Sequence, residues 1–270
     1  MNAPPLLEAR GVGVRFGSGG AAFDAVSGAS LSVSSGEAVG IVGESGSGKT
    51  TLARVLVGLQ TPTHGSVGLE GRTVAASNSR HNFATADRWK VQMVFQDPYS
   101  SLNPRQRAWA AVAEAIGVWQ HCRGPVARTR AFELLASMGV SAAQAQQFPR
   151  ALSGGQRQRI SIARALAPNP LVLIADEPTS AVDQSAQAQL LNLLRRLQRD
   201  RGLAIVFISH DLGIIHYLTS RVYVMQSGVI VESGATASVF EQPEHPYTQR
   251  LLESVPGRPD KAPRPSPPPS

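Results

Sequence analysis

Cysteine is almost missing from this chain: Cys122 is the only one in 270 residues. An internal disulfide and a cysteine-held cluster are thereby excluded, and a reducing compartment is the natural setting. Long apolar runs are missing too. The longest, such as residues 171–175 and 203–208, fall far short of the ~18 residues that cross a bilayer. The start, MNAPPLLEAR, has no basic stretch leading into an apolar core, so no secretion signal is expected. The formal charge of +7 invites a nucleic-acid reading. However, no block of five or six like charges occurs, and aromatic and basic residues do not interleave. No nucleic acid is expected as a partner, and the surplus reads as mild attraction to anionic membrane surfaces or phosphates. Lysine is scarce as well, standing only at positions 49, 90 and 261 among 26 basic residues.

What is present first is glycine in a pattern. GESGSGKT, residues 43–50, fits the phosphate-binding loop G-x-x-x-x-G-K-[ST] at every fixed position. Glycines at 43, 46 and 48 let the backbone wrap a polyphosphate without Cβ clashes, and the following helix adds the positive end of its dipole. Lys49 can reach the β- and γ-phosphates, and the Thr50 hydroxyl is placed for Mg²⁺. A chain that otherwise uses arginine keeps lysine here, where a compact point charge fits and a planar fork does not. The run 38–42 before the loop predicts a strand. Leu52, Val55, Leu56 and Leu59 after it predict a helix.

Along the chain, 6–9, 12–16 and 29–33 read as short strands, and a further strand pair is expected around 65–71. Residues 98–167 change to helical spacing. Trp109, Val112, Ile116 and Trp119 make one stripe, Phe132, Leu135 and Met138 another, and both are expected in the core. From residue 171 the pattern becomes strand–helix–strand: buried strands at 171–175, 204–208 and 222–225 and a helix through Leu190, Leu191, Leu194 and Leu197. Ser227-Gly228 predicts a hairpin into 229–231. From Pro256 the last fifteen residues hold seven prolines and read as a disordered tail.

Two acids, Asp176 and Glu177, end the strand at 171–175. One can hold a Mg²⁺ hydration shell, and its neighbour can orient or deprotonate a water attacking a γ-phosphate. Gln96, after the apolar run 91–95, supplies a neutral side chain that can bridge metal, water and backbone. His210, two residues past a strand, reads as a γ-phosphate sensor. LSGGQ, residues 152–156, offers Ser153 as an N-cap and two open glycines at the start of a helix, a second anion site. One chain hardly needs two such sites for one nucleotide. Two chains packed head-to-tail can share two nucleotides, each between one phosphate loop and the partner's SGGQ.

GESGSGKT, FQDP, LSGGQ, LIADEPTSAVD and ISHD, in this order and spacing over about residues 6–255, resemble the nucleotide-binding subunit of an ATP-binding cassette (ABC) transporter. The resemblance implies an α/β P-loop ATPase core, a mixed sheet with helices on both sides. It adds an N-terminal antiparallel β subdomain and a helical subdomain at about 98–165, within one domain over 1–255 and with the tail at 256–270. It implies ATP and Mg²⁺ as cofactors. Gly43, Glu44, Ser45, Gly46, Ser47, Gly48, Lys49, Thr50 and Thr51 would form the Walker A loop. Ser153, Gly154, Gly155 and Gln156 would belong to the signature, and residues 180–183 to the D-loop. Asp176, Thr50 and Gln96 would serve the metal, and Glu177, His210 and Gln96 catalysis. Phe16 is the expected adenine-stacking ring, with Phe23 as the alternative. No catalytic position is degenerate, so hydrolysis is expected.

A shorter resemblance, in MVFQDPYSSLNPR (93–105) and EHPYTQRLLESVP (244–256), is to the oligopeptide, dipeptide and nickel importer group. It implies a peripheral subunit on the cytoplasmic side of the inner membrane, working with transmembrane permease subunits and, indirectly, a solute-binding protein. The second ATPase would be a related cassette or a copy of this chain. The expected cargo is peptide, with nickel, a metal chelate or another small solute as the alternative. Cys122 is expected to be a bystander, and His245 to be no metal ligand.

Overall fold

The computed structural model describes residues 4–77, 83–180 and 182–254. The proline-rich tail therefore lies outside the described residues. In chain order the first elements are β1 (Leu7–Phe16), β2 (Phe23–Val33), β3 (Ala38–Val42), α1 (Lys49–Leu56), β4 (His64–Leu69), β5 (Arg72–Ala76), α2 (Thr85–Arg88) and β6 (Val91–Val94). A run of helices follows: α3 (Pro98–Ser101), α4 (Ala108–Trp119), α5 (Gly124–Ser137), α6 (Ala142–Ala145) and α7 (Gly154–Leu166). The chain then alternates through β7 (Val172–Asp176), α8 (Gln184–Arg201), β8 (Ala204–Ile208), α9 (Leu212–Leu218) and β9 (Arg221–Gln226). It closes with β10 (Val229–Ala235), α10 (Thr236–Glu241) and α11 (Pro246–Glu253).

The strands form two sheets. One is antiparallel, in the order β2-β1-β4-β5. The other runs β10-β9-β3-β8-β7-β6, parallel from β9 to β6 with β10 antiparallel at the edge. Strands β3, β7 and β8 are buried at every residue, which is why each reads as an unbroken apolar run. Their side chains divide by the strand period of two. Val39, Ile41, Val172, Ile174, Val206 and Ile208 pack with α1 and the antiparallel sheet. Ala38, Val42, Leu173, Ala175, Ile205 and Phe207 pack with the helices. The result is a mixed sheet covered on one face by helices and on the other by α1 and a β subdomain, with the helical segment α3–α7 beside it. Among the described residues no helix is long and apolar enough to cross a membrane.

Two local expectations change. The two strands read at 6–9 and 12–16 are one, β1, whose pairing with β2 shifts between Ala9 and Val12; Gly11, at φ 57°, sits in that irregularity. The helix after the phosphate loop stops at Leu56. Gly58 turns left-handed (φ 72°), with Phe83 against the place a Cβ would take, and Leu59 is left exposed instead of continuing the stripe. In the helical segment Val112, Ile116, Leu135 and Met138 are buried as expected. Trp109 and Phe132 stack at 6.1 Å between α4 and α5.

Candidate active site

The parallel strands β3, β8, β7 and β6 are neighbours, and the loops leaving their C-terminal ends converge. Ile41 stands opposite Ile208, and Ile208 opposite Asp176, so these ends are level. This is where an open α/β sheet binds ligands. Residues 43–48 follow β3, His210 follows β8, Asp176 ends β7 with Glu177 just after it, and Gln96 follows β6. A cavity of about 930 Å³ opens there. Gly43, Glu44, Ser45, Gly46, Gly48, Lys49, Thr50 and Thr51 line it, together with Gln96, Glu177, His210, Phe16 and Phe23.

Glycine is required at two points of the loop. A Cβ on Gly43 would lie 2.0 Å from the Met225 carbonyl oxygen, and one on Gly48 2.3 Å from that of Ala25. Gly48 also takes φ 99° as the N-cap of α1. Lys49 is only 5 % exposed. Its Nζ donates to the carbonyls of Gly43 (2.8 Å) and Glu44 (2.7 Å) and, more weakly, to Ser47 Oγ (3.4 Å). Burial lowers its pKa, while the carboxylates of Glu177, Asp176 and Glu44 work to keep it charged. Ser47 itself points inward, is buried and does not line the cavity.

Glu177 holds the centre. Its Oε2 accepts a hydrogen bond from Gln96 Nε2 at 2.9 Å, and its Oε1 lies 3.2 Å from His210 Nδ1. The three residues expected to carry catalysis thus meet on one carboxylate. The Glu177 backbone is left-handed (φ 44°), an unfavourable state for a side chain with a Cβ, and its N–H donates to the Ile208 carbonyl at 2.9 Å.

Asp176 is 2 % exposed, and its Oδ1 has no hydrogen-bond partner among the described residues. Burial raises its pKa; a hydrogen bond from Thr50 pulls the other way, and Glu177 adds to the rise. An orphaned buried carboxylate oxygen beside a hydroxyl, with the amide of Gln96 across the cavity, is a hard oxygen donor set that fits Mg²⁺ completed by phosphates and water. Asp176→Asn should therefore raise the melting temperature of the nucleotide-free chain at pH 7 by about 2–4 °C, from roughly 1 kcal/mol of relieved charge burial. The sign follows from the raised pKa. The folded state holds this proton more tightly than the unfolded chain, so wild-type stability falls as pH rises through the ordinary carboxylate value and beyond. Asparagine does not titrate. Thermal melts at several pH values in EDTA check this, and a variant no more stable than wild type at pH 7 would refute it.

Phe16 (37 % exposed) and Phe23 (59 %) face each other across the β1–β2 pair, ring centroids 5.8 Å apart, and both line the cavity. Either ring face is open to a base. The signature residues lie elsewhere: Ser153, Gly154, Gly155 and Gln156 begin α7, and none lines the cavity of its own chain. Ser153 and Gln156 form a reciprocal cap, each side chain accepting the other's backbone N–H. Gly155 is buried against Val182 and Ala186. Asp183 caps α8.

A family model for ABC transporters matches residues 26–180, more than half of the chain. The chain belongs to the ABC transporter family. A second family model, the C-terminal region of oligopeptide/dipeptide transporters, matches residues 231–268 of the cassette. Among similar proteins, the oligopeptide transport ATP-binding protein OppF of Lactococcus lactis subsp. lactis is 44 % identical over 232 residues, 86 % of the cassette and 72 % of the relative. The putative oligopeptide transport ATP-binding protein YkfD of Bacillus subtilis is 42 % identical over 258 residues, 95 % and 78 % of the two chains. Among solved structures, a dimeric ATP-binding cassette in a post-hydrolysis state with ADP and phosphate superposes with a TM-score of 0.75. It is 28 % identical and covers 85 % of the cassette and 98 % of its own chain. The cassette is thus an ATP-binding ATPase of the α/β P-loop class.

The sequence reading missed several wall residues. Asp24, Ala25, Ser227, Gly228 and Leu251 also line the cavity. The Gly228 N–H donates to the Ser47 carbonyl (2.9 Å), and the Ser27 N–H to the Gly228 carbonyl (2.8 Å), so the β9–β10 turn ties the loop to β2. Main-chain contacts of this kind leave no pattern of side-chain types. Only the Ser227-Gly228 turn itself was visible.

Proposed function

We propose that this cassette is the ATP-hydrolysing subunit of an importer that carries peptides across the cytoplasmic membrane, docked on the cytoplasmic side of permease subunits. The observation that carries the hydrolytic part is the Glu177 carboxylate held between Gln96 and His210 at the mouth of the phosphate-loop cavity. The cargo class rests on the match of residues 231–268 and on the relatives that bear oligopeptide names.

In this reading Phe16 or Phe23 stacks on the adenine, and Lys49 leaves the carbonyls of Gly43 and Glu44 for the β- and γ-phosphates. Glu177 orients the attacking water and takes its proton, and His210 and Gln96 exchange their hold on Glu177 for the γ-phosphate and the water. Mg²⁺, held by Thr50, Asp176 and Gln96, would neutralise charge on the phosphates. Ser153 and Gly154, remote from their own cavity, would close over the nucleotide of a second cassette, related or identical. A groove of about 300 Å³ between β6 and the helical segment, lined by Leu59, Met93, Phe95 and Trp119, would take the permease.

A strain lacking this gene should lose uptake of toxic peptides, and the wild-type gene should restore it while Glu177→Gln does not. Restoration by the variant would sink the hydrolytic role. Restoration of nickel uptake without peptide uptake would sink the cargo.

A further inference from the structure

Helix α11 enters the nucleotide site from behind. The chain leading into it is gripped by Glu232, whose carboxylate accepts the backbone N–H groups of Glu244 (2.8 Å) and His245 (3.0 Å). His245 then caps the helix, its Nδ1 accepting the Tyr247 N–H at 3.1 Å, and Pro246 fills the first turn, where no donor is needed. These contacts fix Tyr247, which is 3 % exposed. Its hydroxyl accepts the backbone N–H of Glu44, in the phosphate loop, at 2.9 Å. One turn further on, Leu251 forms part of the cavity wall.

The Glu44 N–H belongs to the same peptide unit as the Gly43 carbonyl, and that carbonyl accepts Lys49 Nζ at 2.8 Å. This one peptide plane is therefore held at both ends, by Tyr247 on its donor side and by Lys49 on its acceptor side. Gly43, with φ 152°, gives the plane little steric restraint of its own. Burial raises the Tyr247 pKa above that of an ordinary phenol, against the Glu44 N–H, which lowers it, so the group stays a neutral acceptor at physiological pH.

We propose that Tyr247 is a positioning residue of the phosphate loop. Its hydroxyl sets the plane of the Gly43–Glu44 peptide and, through it, the resting place of Lys49, which makes α11 a part of the nucleotide site. The proposal rests on the reading of this cavity as an ATP site.

The test uses the full-length chain and Mg·ATP. Tyr247→Phe keeps the ring and its packing and removes only the hydroxyl. Its dissociation constant for Mg·ATP should rise by roughly three- to tenfold, the effect of one lost hydrogen bond that holds the phosphate loop in place. The nucleotide-free melting temperature should fall by no more than about 2–4 °C, because the same hydrogen bond is present without nucleotide. In the assembled transporter KM for ATP should rise by the same factor while kcat holds within about twofold. Leu252→Ala is the structural control: Leu252 is buried in the same helix but does not line the cavity. It should lower the melting temperature and leave Mg·ATP affinity unchanged at temperatures where both proteins are folded. Equal or tighter binding by Tyr247→Phe overturns the proposal, as does a Leu252→Ala variant that weakens binding to the same degree. A wild-type chain that binds no Mg·ATP removes the ATP-site reading and the proposal together.

Discussion

Glu177→Gln should slow ATP turnover in the assembled transporter on the order of 100-fold or more while leaving nucleotide binding in place. The substitution preserves the shape of a side chain that already sits between Gln96 Nε2 at 2.9 Å and His210 Nδ1 at 3.2 Å. An amide can still accept the hydrogen bond from Gln96, so the loop after β7 should stay in place. What it loses is the negative charge that polarises a water and receives its proton. The left-handed backbone at Glu177 is the same for both residues, so the comparison isolates charge from backbone strain. With hydrolysis blocked, ATP should hold two cassettes closed, and size-exclusion chromatography should find an ATP-dependent dimer. Turnover within a few-fold of wild type would remove Glu177 from the chemistry.

Lys49→Ala should abolish stabilisation by nucleotide. A ligand at 100 times its dissociation constant contributes about 2.7 kcal/mol, roughly 5–10 °C of melting temperature in a chain of this size. Wild type should show that shift with Mg·ATP and the variant almost none. The loss has two sources. The phosphates lose their point charge, and the carbonyls of Gly43 and Glu44 lose the donor that draws the loop together. Lys49→Arg is the informative companion. At 5 % exposure the pocket has little room for a planar fork, so arginine should not rescue binding. A shift of wild-type size in the alanine variant would mean that nucleotide binds elsewhere.

These two residues were legible from the sequence, and so was most of the frame around them. Strands β3, β7 and β8 are buried on both faces, so nothing polar interrupts their apolar runs, and each ends on a recognisable turn. The β9–β10 hairpin was equally plain, because Ser227 and Gly228 both take positive φ (46° and 85°). What stayed hidden was set by distant partners. Leu59 continues the helical period of Leu52, Val55 and Leu56, yet Phe83 packs where Gly58 lacks a side chain and the helix ends early. Tyr247 lies in α11, and nothing in the residue types around it shows that its hydroxyl finds Glu44, 203 residues away in the chain. The sequence put Phe16 ahead of Phe23 as the stacking ring; their pairing as neighbours on one wall was not visible in it.

The Ser227–Gly228 turn has a mechanical consequence. Through it the strand that carries Phe23 is joined to the phosphate loop at Ser47, so the surfaces that would receive base and phosphates are laced together by main-chain hydrogen bonds. Gln96 and His210 are exposed and anchored mainly by their grip on Glu177. One wall of the site is thus knit into the fold by its main chain, and the other rests on two side chains that meet at a single carboxylate.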